Sequence, residues 1–189
     1  MRQIPHLTGV AGAAILLCAI AVAPANGGPP GDGPPRKLAL TPDRVFSLWT
    51  NINRSLLAIA RRVSDDAAWQ ARLAAEPPQT FQGKRSADVL ERVRIYRAKL
   101  NRLLKASGIP PARRFRPHVN PVVPGDVYVN SGYLLNRLVE WLIRSAAPER
   151  KVGRFYILHN STGKTPSDVF VLVALADRRL SRILARAGL

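Results

Sequence analysis

Residues 41–62 read TPDRVFSLWTNINRSLLAIARR, and two features of this stretch decide the fold. Thr41, Pro42 and Asp43 set a hydroxyl at a helix N-cap, a proline at the first helical position and a carboxylate beside the unpaired N-terminal amides. Behind that start, Val45, Trp49, Ile52, Leu56 and Ile59 recur at offsets of 4, 7, 11 and 14 from the valine. Such spacing places them on one stripe of a helix, the side that packs against neighbours.

The same pattern returns three times. Aligning Val45 with Val89, Val127 and Val169 brings Leu56, Leu100, Leu138 and Leu180 into register, at a period of 38 to 44 residues. A period of that size marks copies of one supersecondary unit. The starts recur as well, as Ser86 with Asp88, Pro124 with Asp126, and Thr165-Pro166 with Asp168. Capping accounts for Asp43, Asp88, Asp126 and Asp168, which otherwise resemble an acidic catalytic set. The later stripes are Val89, Val93, Tyr96, Leu100, Leu103, then Val127, Ser131, Leu134, Leu138, Trp141, then Val169, Val173, Ala176, Leu180, Ile183. All twenty positions except Ser131 are apolar in a chain that is 47% apolar, so composition does not explain them. The pattern predicts an all-α fold, a four-helix bundle built from four ~40-residue repeats with long irregular connections.

Those connections leave the helix order open. Up-down bundles use loops of about 2 to 8 residues, and the stretches here are far longer, long enough to run back along the bundle and leave all helices parallel. Residues 64–76 carry the signals of a short extra helix, with Ser64 as cap and Pro77-Pro78 as stop. Residues 108–123 are broken by prolines and predicted to be extended, and residues 155–158 have the composition of a short strand.

Ahead of the repeats, Arg2, the apolar run 10–22 and Ala23-Pro24-Ala25 have the form of a secretory signal peptide over residues 1–25. The apolar run is shorter than the roughly 20 residues a spanning helix needs, although retention as an anchor is the alternative. Residues 26–37, rich in proline and glycine, read as a disordered tether, and 38–189 as the bundle domain. Cys18, the only cysteine, falls inside the signal, so the mature chain is predicted to be free of disulfides and thiolate metal sites. The expected destination is the periplasm or the exterior.

Little in the mature segment carries chemistry. Residues 158–165 resemble a P-loop, but Leu158 stands where the loop needs glycine and Pro166 removes an amide. His159, Ser161 and Asp168 lack the surroundings of a nucleophile elbow, and His118 and His159 alone make no metal site. Asn53 and Asn160 stand in glycosylation-type triplets. No cofactor, metal, nucleotide or catalytic residue is expected, and the chain is read as a non-enzyme, with nucleic acid set aside as a partner of an exported protein.

Charge is the one feature with functional weight. The chain carries a net charge of +17, and no acid occurs between Glu91 and Asp126. Within that stretch Arg97, Arg102, Lys105, Arg113, Arg114 and Arg116 are the candidate anion-binding residues, since guanidinium forks match phosphate and carboxylate oxygens. The expected partners are an anionic envelope polymer, a lipid headgroup or an acidic protein. The sequence thus suggests an exported binding or scaffold protein at an anionic envelope surface, the alternative being an adaptor or small-ligand sensor module. Ser131 raises one further question. It interrupts an apolar stripe and Gly132 follows it, so Trp49 either fills the space beside them or Trp49, Asn130 and Ser131 border a polar pocket.

Overall fold

The computed structural model describes residues 40–116 and 121–189. The expected signal (1–25), the tether (26–37) and His118 lie outside the described residues. The chain is all-helical there: α1 (Pro42–Val63), α2 (Ala67–Ala74), α3 (Ser86–Ala106), α4 (Pro124–Arg144) and α5 (Pro166–Arg186), with a 3-10 turn at Val152–Phe155. No strand forms among the described residues. Residues 156–158 therefore do not form the expected strand; Ser47 and Asn51 of α1 donate side-chain hydrogen bonds to the Ile157 carbonyl instead.

The four long helices close a ring, α1 packing on α4 and α5, and α3 packing on the same two. Their first turns meet. Pro42, Ser86, Pro124 and Pro166, with Val45, Val89, Val127 and Val169, line one cavity of about 10 Å³. The helices accordingly run parallel, and the up-down alternative is excluded. Parallel helices require each connection to travel the full bundle length. A 21-residue helix is about 30 Å long, and an extended chain covers that in about ten residues. The connections 64–85, 107–123 and 145–165 are long enough to do so, which is the physical reason for their length.

Every stripe position is buried except Trp141, which is partly buried and whose Nε1 donates to Ser107 Oγ at 2.8 Å. At the centre the Trp49 and Tyr96 rings meet edge to face, centroids 5.2 Å apart at 82°, a favoured aromatic geometry.

The helix starts depart from expectation in detail. Only α5 has a reciprocal capping pair, in which Asp168 N donates to Thr165 Oγ1 at 3.3 Å and Thr165 N to Asp168 Oδ2 at 2.8 Å. In α3 the N-cap is Arg85 rather than Ser86, and Arg85 N donates to Asp88 Oδ2 at 2.8 Å. Val123 N donates to Asp126 Oδ2 at 2.9 Å, so the carboxylate half of the motif suffices there. Asp43 instead accepts Lys164 N at 2.8 Å, tying the start of α1 to the approach to α5. The short helix α2 is capped by Asp66, whose Oδ1 accepts Trp69 N at 2.9 Å, and Ser64 is the C-cap of α1.

Candidate anion-binding face

The segment returning from α3 to α4 is pinned at three points. Gly108 adopts φ +66°, the left-handed conformation that ends helices, and Ile109 N donates back to Leu104 O. Ala112 N then donates to Asn101 Oδ1 at 3.1 Å on α3. Asn130 of α4 holds Phe115 from both sides, accepting Phe115 N at 3.2 Å and donating to Phe115 O at 3.1 Å. Ile109 and Ala112 are buried while Arg113, Arg114 and Arg116 are exposed.

Among the described residues Arg102, Lys105, Arg113, Arg114 and Arg116 enter no hydrogen bond or ion pair through their side chains. Elsewhere acids are matched with cations. Asp177 of α5 binds Arg92 at 2.6 Å and Lys99 at 2.7 Å, Glu76 binds Arg178 and Arg182, and Glu149 binds Arg62 and Arg154. The acid-free stretch in sequence is therefore partly neutralised in space, and what stays positive is the return segment with the C-terminal end of α3. Arg113 also borders an open depression of about 300 Å³ with Tyr133, Asn136 and Arg137.

Arg97 does not share that exposed face, which corrects its place in the candidate set. It is only 7% exposed, and its Nη2 donates to Asn130 Oδ1 at 2.6 Å. Burial, and then the nearby Arg114 and Arg94, pull its pKa below the usual arginine value. A signal for this was present: Arg97 stands eight residues after Val89, as Asn53, Leu135 and Asp177 stand after Val45, Val127 and Val169, all four of them buried. Offset 8 falls beside offsets 4 and 11 on a helix, so the inward stripe is wider than the twenty positions implied.

The pocket at Trp49, Asn130 and Ser131 is replaced by a filled core. Trp49 and Ser131 have no exposed surface, and Trp49 Nε1 donates to Ser131 Oγ at 2.9 Å. The serine is thus the acceptor for a buried indole. Gly132 takes no part, since a Cβ there would meet nothing within 4 Å. Asn130 is fully engaged by Arg97, Phe115 and Asp126.

The residues that resembled catalytic groups are separated by their partners. His159 Nε2 lies 3.0 Å from Asn51 Oδ1, Ser161 Oγ donates to Asp43 O, and Asp168 caps α5. Gly163 supplies a left-handed turn, and Lys164 Nζ lies 4.8 Å from the Phe46 ring. Asn53 is buried against Trp49 O and Leu172 O, which keeps it from any glycan, whereas Asn160 is exposed. Among the described residues no group of three His, Cys, Asp or Glu side chains could hold a metal, and no helix is long and apolar enough to cross a membrane. Comparisons with protein-family models, with curated proteins and with solved structures find no match for this chain.

Proposed function

We propose that this is an exported, non-catalytic binding or scaffold protein that docks on an anionic surface of the cell envelope. Its frame is a four-helix bundle of four ~40-residue repeats, carried behind a cleaved signal and a short tether. The observation that supports the reading best is the pinned return segment. Arg113, Arg114 and Arg116 stand exposed and unpaired on a backbone fixed by Asn101 and Asn130. A fixed backbone has little freedom to lose on meeting an anion, so this segment is better prepared for docking than a mobile loop. Full-chain protein is expected to be retained on vesicles rich in phosphatidylglycerol at low salt and released at high salt. Retention that ignores salt, or that survives reversal of all three arginines, refutes the reading.

A second reading, a protein-interaction adaptor, is favoured by Tyr156, Ile157 and Leu158, three consecutive large apolar residues exposed beside α4 and α1. It predicts a defined partner whose capture survives moderate salt and is lost with Leu158→Asp.

A further inference from the structure

Two arginines of this protein are buried to almost the same degree, and their surroundings differ. Arg179 is 6% exposed and each of its nitrogens is engaged: Nε donates to Leu73 O, Nη1 to Asn53 Oδ1 and Nη2 to Ala74 O. The Glu76 carboxylate also lies near enough to favour its charge. Arg97, at 7%, has one acceptor, the Asn130 Oδ1 atom that it shares with Phe115 N. Its Nε is buried with no hydrogen-bond partner. The charges that act on it are both positive, Arg114 and Arg94. Asp177 and Glu76 each have two cations, and Asp126, 8% exposed, accepts the Val123 amide. A desolvated charge without a counter-charge is costly, and proteins rarely leave one so.

We propose that Arg97 and Arg114, held together by Asn130, form a discrete binding site for a phosphate monoester group. The shared asparagine fixes the geometry. Its carboxamide grips the Phe115 backbone and Arg97 at once, and Arg114, one residue earlier, is brought near enough for its charge to act on the buried guanidinium. Charge selects the ligand class. Arg94 is balanced by Glu91 at 2.8 Å, which leaves two uncompensated guanidinium groups, and a monoester dianion matches them where a carboxylate leaves one over. The site deepens the anionic-surface reading and rests on it; the ester is either a soluble phosphate compound or a lipid headgroup.

The test uses the full chain and inorganic phosphate as probe. Phosphate should raise the thermal midpoint in a saturable way, beyond chloride at equal ionic strength. Arg114→Gln, an exposed change that spares the core, should weaken the apparent phosphate affinity at least about tenfold, while Arg150→Gln, at a distant exposed cation, leaves it unchanged. Arg97→Met should abolish the response to phosphate while the protein stays folded, because it removes the buried charge with little loss of volume. Preference for phosphatidic acid vesicles over phosphatidylglycerol vesicles, lost in Arg114→Gln, assigns the ester to a lipid headgroup; saturable phosphate binding without that preference assigns it to a soluble compound. Coincident phosphate and chloride curves, or an equal loss in Arg150→Gln, overturn the site. If salt-sensitive vesicle retention persists in that case, the surface reading stands without it, and if retention is also absent both fail.

Discussion

Ser131→Ala tests the centre of the bundle with the removal of a single atom. Ser131 and Trp49 have no exposed surface, and the 2.9 Å bond between them takes the indole's only donor. Alanine fits the space, so sterics contribute little and the main loss is an unpaired N–H in a region closed to water. That costs about 1 to 3 kcal/mol. For a domain of roughly 150 residues this lowers the thermal midpoint by about 4 to 8 °C, taking a central cost near 2 kcal/mol. Thermal and urea unfolding followed by circular dichroism supplies the measurement. A double-mutant cycle isolates the bond. Trp49→Phe removes the donor together with ring volume, and in that background Ser131→Ala should be close to neutral, giving a coupling of about 1 to 2 kcal/mol. Ser131→Leu, by contrast, should cost about 1 to 3 kcal/mol by overpacking against the same ring. The reasoning is refuted if Ser131→Ala leaves the midpoint within about 1 °C of the parent, or costs equally in both backgrounds.

Four other outcomes follow from the same packing and charge arrangement. Leu56, Leu100, Leu138 and Leu180 have no exposed surface, and each alanine substitution should cost about 2 to 5 kcal/mol; urea midpoints check this, and unchanged values would dissolve the repeat alignment. Gly132→Ala should stabilise by up to about 1 kcal/mol, because a Cβ there meets nothing within 4 Å and the backbone is already helical; a loss of stability in calorimetry would contradict this. Tyr96 Oη is buried with no partner, and burial followed by the Asp177 charge pushes its pKa far above the usual tyrosine value. Tyr96→Phe should therefore be neutral or stabilising by about 1 kcal/mol, and a loss above about 1 kcal/mol would reveal a partner for the hydroxyl. Reversing Arg113, Arg114 and Arg116 to Glu should abolish vesicle retention with the circular dichroism spectrum unchanged. Its control is Arg61, Arg72 and Arg150, since the neighbouring set Arg178, Arg179 and Arg182 is tied to Glu76, Gln79 and the α2 backbone; equal loss in the control would assign retention to net charge alone.

The inward stripe was legible in the sequence because helical periodicity and burial are one physical fact. Trp49 and Ser131 match as one large and one small residue at the same offset from Val45 and Val127. Helix direction was not legible in the stripe, since a stripe carries no arrow; it was encoded in the connections, whose length exceeds what adjacent antiparallel helices need. The charge map is illegible in the sequence for a related reason. Arg92 and Lys99 fall in the acid-free stretch, but their carboxylate, Asp177, lies 85 and 78 residues further along the chain, and only packing of α3 on α5 joins them. Arginine is usually a surface group, whereas the offset of 8 aligns Arg97 with the buried Asn53, Leu135 and Asp177.

Parallel packing also gives the recurring aspartates a joint meaning. Each helix start carries roughly half a positive charge. In an up-down bundle such poles alternate and offset one another, whereas here four of them meet around Pro42, Ser86, Pro124 and Pro166. Asp43, Asp88, Asp126 and Asp168 lie in those first turns, and Arg61, Arg62, Lys105, Arg144 and Arg186 in the last turns at the other end. The side-chain charges thus oppose the helix poles at both ends, a balance that one cap considered alone does not reveal. It also divides the basic candidates in two. Lys105 sits at a negative pole that answers part of its charge, and Arg102 lies within a turn of it. Arg114 and Arg116 have been carried back by the return segment toward the second turn of α4, where Asn130 holds Phe115. No negative pole lies there, and the first-turn acid Asp126 is engaged with its own N-cap amide. On the proposed docking reading, an external anion is therefore expected to be held at the pinned end of the return segment, beside Arg97, rather than along the whole basic stretch.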